Sequence, residues 1–186
     1  MPCNGPIYLN GGRFGKCASF GSWGNFGKRF ERACPLDLGQ DFTILLWVYL
    51  TPGFNPGNDD YAQILSMSDP NANLNLYFTS YVDEGEYWGL YFTGYAWGAT
   101  FIDQPQAGAW YQLAVTHAEL NDHISLYCNG ALAVEYDDLE WLYSDVSSMV
   151  VGLYGGPYVD ELLGWQRVLT PQDIRRNYAY ARGLLL

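Results

Sequence analysis

The stretch AWYQLAVTHAELNDHISLYCNGALAVEY, residues 109–136, decides how this chain folds. It holds three runs, 110–116, 123–128 and 131–136, rich in the β-branched and aromatic residues that strands favour. Asn129-Gly130 separates the last two, and this pair is the strongest short-range hairpin signal because both residues accept a positive φ. Ile124, Leu126 and Cys128 share one phase of their run, so Cys128 reads as a small buried hydrophobe. Towards the N-terminus, DFTILLWVYL (41–50) is a strand closed by Thr51-Pro52-Gly53, and Trp47 within it reads as a core ring. Further strands are expected at 61–68, 148–154 and 158–168. Between them, Leu74, Leu76 and Phe78 alternate with Asn75, Tyr77 and Thr79, the period of two that marks a half-buried strand. Trp88, Leu90 and Phe92 alternate likewise with Tyr87, Gly89, Tyr91 and Thr93, and VDEGE (82–86) suits the hairpin loop between the two runs.

Only one helix is signalled. Thr170-Pro171-Gln172-Asp173 places an N-cap hydroxyl before a proline at the first helical position and an acid in the first turn. Ile174, Tyr178 and Ala181 then recur on one face, and Gly183 offers a stop. The expected fold is all-β: a two-sheet antiparallel jelly-roll sandwich with one short C-terminal helix. With 186 residues and no repeat, low-complexity tract or linker, residues 1–186 read as a single domain.

Composition narrows the function. The net charge is 9 − 20 = −11, which argues against nucleic acid, since phosphate binding needs clustered Lys and Arg. The apolar runs fall short of the ~20 residues of a membrane-spanning helix. Cys3, Cys17, Cys34 and Cys128 show no C-x-x-C spacing, which disfavours a zinc ribbon or a thioredoxin-like site; two disulfides could form in an exported protein, with their pairing open. MPCNGPIYLNGG has neither a basic n-region nor an apolar h-region, so no Sec signal peptide is expected. The chain is therefore expected to fold in a cytoplasm or to be excised from a longer one.

Three segments together carry a family likeness. They are GGRFGKCASFGSWGNFG followed by LGQDFTILLWVYLTPG, the stretch 109–136, and VVGLYGGPYVDELLGWQRVLTPQDIRRNYA. In order and spacing they resemble laminin G-like, concanavalin A-like lectin/glucanase jelly-roll domains. The resemblance implies two curved sheets packed face to face, with a concave sheet that relatives use to hold sugars, proteins or lipids. Where many relatives have Asp-Gly, this chain has Phe20-Gly21-Ser22. Some relatives bind calcium near the termini through an Asp of the last strand, and Asp160 matches that position. The resemblance thus makes Asp160 a candidate calcium ligand; otherwise Asp160 and Glu161 cap the sheet or pair with Arg167.

Catalytic motifs are sparse. The β-glucanases of this sandwich place two carboxylates on one strand face, whereas Asp83, Glu84 and Glu86 fall in a hairpin loop. Glu135, Asp137, Asp138 and Glu140 read as another loop run without calcium-loop spacing. His117 and His123 read as strand-end and turn residues. A non-catalytic protein is expected, and a glycoside hydrolase is disfavoured.

Aromatic density stands out: ten aromatic residues lie between Tyr77 and Phe101. If Leu74, Leu76, Phe78, Trp88, Leu90 and Phe92 face the core, then Tyr77, Tyr81, Tyr87 and Tyr91 face the other way. With Tyr95 and Trp97 they form the candidate ligand-binding or interface surface, flanked by Asn73, Asn75 and Asp83. A ladder covered by the chain's own loops is the structural alternative. The preferred functional reading is a lectin-like recognition and assembly protein on a virion surface, as a capsid decoration or tail protein. Its partners would be a glycan, neighbouring subunits or further copies of itself in a homo-oligomer. The alternative is a secreted or enzyme-appended carbohydrate-binding or adhesion module.

Overall fold

A computed structural model describes residues 7–20, 29–52, 62–69, 74–83, 87–93, 98–103, 105–137, 148–152 and 157–183. Within these, the side chains of 7–9, 11, 62–63, 68–69, 74–83, 87–93 and 98–103 are not described. The strands are β1 (Ile7–Gly12), β2 (Gly15–Ser19), β3 (Phe30–Ala33), β4 (Phe42–Tyr49), β5 (Ala62–Asp69), β6 (Leu74–Asp83), β7 (Tyr87–Thr93), β8 (Gly98–Asp103), β9 (Trp110–Ala118), β10 (His123–Cys128), β11 (Ala131–Tyr136), β12 (Ser148–Val151) and β13 (Tyr158–Trp165). One helix, α1 (Pro171–Ala181), follows. A seven-stranded sheet runs β1-β2-β13-β4-β9-β10-β11 and a six-stranded sheet runs β3-β12-β5-β6-β7-β8. Neighbouring strands are antiparallel throughout.

The core lies between the sheets. Phe42, Ile44, Leu46 and Val48 from β4, with Leu113, Val115, Ile124 and Leu126, meet Leu65, Met67, Met149 and Val151 of the opposite sheet. The other face of β4 is covered too. Leu45 and Trp47 join Ala114, Tyr127, Leu169 and Ile174 in a second cluster, against which Tyr178 and Ala181 of α1 pack. This two-sided burial explains why 41–50 reads as a continuous apolar run rather than an alternating one. Trp47 is buried as expected, at 2% exposure, but beneath the helix rather than between the sheets. Tyr178 stacks on it at 5.7 Å between ring centroids, and the Arg13 guanidinium lies 5.3 Å from its ring centre.

Local signals are realised where the chemistry demands them. Asn129 and Gly130 take φ of 53° and 77°, and Asn129 Oδ1 accepts the Gln112 N–H at 3.0 Å. A Cβ on Gly130 would lie 2.9 Å from Tyr178 Cβ, so that glycine serves both the turn and the approach of the helix. The Gln112 side chain donates to Asn177 Oδ1 at 2.8 Å, tying β9 to α1. Strands β1, β2, β3 and β8 were not expected, because their glycine-rich or short sequences show no clean alternation.

Candidate functional site

The hairpin of β6 and β7 sets Tyr77 opposite Thr93, Thr79 opposite Tyr91, Tyr81 opposite Gly89 and Asp83 opposite Tyr87. Opposed residues of an antiparallel pair share a face, so Tyr77, Tyr81, Tyr87 and Tyr91 hold positions on one face of the six-stranded sheet. The adjoining register identifies it: Phe78 pairs with Leu65 and Leu76 with Met67, and Leu65 and Met67 are core residues. The tyrosine positions alternate with those core-side positions. Ser66 lies opposite Tyr77 and Val150 opposite Ser66, and these two are only 3% and 8% exposed. The outer face is therefore covered at β5 and β12. Tyr95, Trp97, Asn73, Glu84, Glu86, Asp138 and Glu140 lie outside the described residues.

Asp160 sits on β13 opposite Trp47, at a bulge between Asp160 and Leu163. Its Oδ2 accepts the Phe14 N–H at 3.1 Å and its Oδ1 the Glu161 N–H at 2.9 Å. Calcium takes six to eight oxygen ligands. Here each Asp160 oxygen already accepts one backbone N–H. Among the described residues no group of three or more His, Cys, Asp or Glu stands ready to hold a metal ion. The described partners of Asp160 are hydrogen-bond donors rather than cation ligands. Asp160 instead clamps the β1–β2 turn onto β13, and Gly12 permits the close approach, since a Cβ there would lie 2.7 Å from Asp160 Oδ2.

His117 departs from its expected place at the strand end. Strand β9 continues to Ala118, carrying His117 into the core phase of Leu113 and Val115 and opposite Phe42. There it is fully buried, with Nδ1 2.9 Å from Gln40 O and Nε2 3.5 Å from Asp122 Oδ1. His123 begins β10 with Nδ1 2.6 Å from Asp137 Oδ1 and Nε2 2.9 Å from Ser125 Oγ. Carboxylate, imidazole and hydroxyl in that order resemble an acyl-transfer relay. Ser125, however, is 5% exposed, and its side chain also hydrogen-bonds Tyr127, itself part of the cluster under α1. A nucleophile requires an open approach and oxyanion donors; this chain of bonds instead fastens β11 to β10. Cys34 and Cys128 are free thiols, and burial pushes the Cys128 pKa up to about 11.

A sequence-family model for the concanavalin A-like lectin/glucanases superfamily matches residues 29–175. No curated protein matches the chain in sequence. The binding domain of Paraclostridial Mosquitocidal Protein 1 is similar in structure, with a TM-score of 0.68 at 14% identity, over 97% of this chain and 47% of that one. The binding domain of botulinum neurotoxin DC in complex with rat synaptotagmin II gives a TM-score of 0.68 at 11% identity, over 95% and 45%. A native heptameric SAP-like pentraxin from Limulus polyphemus gives 0.60 at 17% identity, over 84% and 78%. At such identities the likeness is one of fold, and the chain spans just under half the length of the two toxin domains. Among the described residues no helix is long and apolar enough to cross a membrane.

Proposed function

Because the chain belongs to the concanavalin A-like lectin/glucanases superfamily, we propose that it is a non-catalytic recognition module acting through the aromatic face of β6 and β7. The observation that carries this reading is the register grouping Tyr77, Tyr81, Tyr87 and Tyr91 on one sheet face. Phenol rings cover the apolar C–H faces of a sugar while their hydroxyls exchange hydrogen bonds. The same rings serve as anchors in protein interfaces. The company of similar folds supports recognition: two are binding domains, one of them bound to synaptotagmin II, and one is a heptameric pentraxin. In the finer reading, residues 1–186 form one domain displayed on a virion surface, as a capsid decoration or tail subunit. That reading draws on the net charge of −11 and on an aromatic face that neighbouring subunits would bury.

Tyr87→Ala and Tyr91→Ala provide the test, because both lie on β7, away from the covered β5–β12 region. Each variant is expected to keep the wild-type melting curve while losing about tenfold or more in affinity for the partner. A glycan array and light scattering after size exclusion identify that partner: a saturable signal from a monomer supports sugar recognition. A blank array with a concentration-dependent oligomer supports the subunit. Loss of the cooperative melt in both variants would assign the rings to stability and remove the binding face.

A further inference from the structure

Among the described residues the sandwich is left open at its β3 end. Strand β3 pairs with β12 so that Phe30 lies opposite Val151 and Arg32 opposite Met149. Val151 and Met149 are core residues, so Phe30 and Arg32 occupy core-side positions. Yet every residue of β3 is exposed, and Phe30 is 42% exposed. A core-side phenylalanine left that open means the opposite sheet does not reach over it. Between β3 and the strands β2, β13 and β4 of the opposite sheet opens a cleft of about 690 Å³, lined by the buried Ile44, Leu65 and Met67 and by Lys16 and Arg32. Small-molecule sites run to roughly 300–1,000 Å³.

The lining combines two kinds of chemistry. Ile44, Leu65 and Met67 offer only apolar surface, where an unpaired polar ligand atom would be costly, and Met67 can adapt to an irregular chain. The two exposed cations could meet an anionic head. Asp160 and Glu161 also line the cleft from β13; Asp160 accepts the Phe14 and Glu161 N–H groups, and both carboxylates bring negative charge to the lining, so a cationic amphiphile is the competing ligand. Among the described residues no carboxylate pairs with Lys16 or Arg32. We propose that this cleft binds a single-chain amphiphile with an anionic head, of the alkyl carboxylate type. Its chain lies against Ile44, Leu65 and Met67, and its carboxylate meets Lys16 and Arg32. The site is separate from the tyrosine face, on a different side of the six-stranded sheet.

Calorimetric titration of the full chain with dodecanoate tests this. The expected result is saturable binding of one equivalent, about tenfold tighter than that of dodecyltrimethylammonium. Arg32→Glu, on an exposed strand, should weaken dodecanoate about tenfold without shifting the melting curve. Ala18→Phe, which fills the cleft from β2, should abolish binding; if that variant fails to fold, Arg32→Glu decides alone. The proposal is overturned by the absence of saturable binding, by undiminished affinity in Arg32→Glu, or by equal affinity for the cationic amphiphile. Binding to phosphatidylglycerol vesicles that dodecanoate does not displace would also overturn it, by assigning the cleft to a membrane surface.

Discussion

Trp47 illustrates how a single ring can matter outside the layer that its strand was expected to fill. It is held between Tyr178, Phe14 and the Arg13 guanidinium, and Arg13 in turn donates to Ala181 O at 2.9 Å. One side chain therefore joins the β1–β2 turn, the seven-stranded sheet and the C-terminal helix. Trp47→Ala is expected to cost about 3–5 kcal/mol, as large-to-small changes at buried aromatic sites do. A denaturant midpoint equal to wild type would show that the ring carries no such weight. Cys128 makes a second residue-scale test. Burial holds its pKa at about 11, so little thiolate exists near neutral pH, and the thiolate is the reactive form. A thiol reagent at pH 8 should label the partly buried Cys128 far more slowly in the native protein than after unfolding. Rapid native labelling would contradict the burial.

At the scale of elements, helix α1 is set by its first turn. The Thr170 hydroxyl donates to Asp173 Oδ2 at 2.7 Å and accepts the Asp173 N–H at 3.1 Å, while Asp173 Oδ2 also accepts the Thr170 N–H at 3.2 Å. These bonds favour the ionised acid and lower the Asp173 pKa. A carboxyl whose folded pKa lies below its unfolded value adds stability above the unfolded value, near pH 4, and loses it as the pH falls through the folded one. Helical circular dichroism should thus decline below about pH 4, and Thr170→Ala should shrink that pH-dependent part. An identical pH profile in the variant would remove the capping box from the account. The β1–β2 hairpin is anchored by the Asp160 hydrogen bonds. Asp160→Ala strips acceptors from two N–H groups and should lower the melting temperature, whereas calcium should leave the wild-type melt unmoved. A calcium-dependent rise in that melt would restore Asp160 as a metal ligand.

For the whole molecule, strands were legible wherever both neighbours and partner gave local signs. Residues 131–136 form β11 with the expected ends because Asn129-Gly130 dictates a two-residue turn. The cap at Thr170 placed α1 for a comparable reason. Parity also named the four tyrosine positions that the β6–β7 register puts on one face. Strands β1, β2, β3 and β8 escaped notice, since glycine and short length erase alternation. His117 escaped too, because strand length beyond Thr116 depends on pairing with β4 rather than on its own residues. Neither the covering of Ser66 and Val150 nor the open β3 end leaves any trace in residue order. The order of residues by itself determined the fold class, the hairpins and the cap, because turns, alternation and capping act between residues close in the chain. Which faces are covered, which carboxylate is occupied and where the sandwich gapes were decided only in three dimensions, because each depends on contacts between segments far apart in sequence.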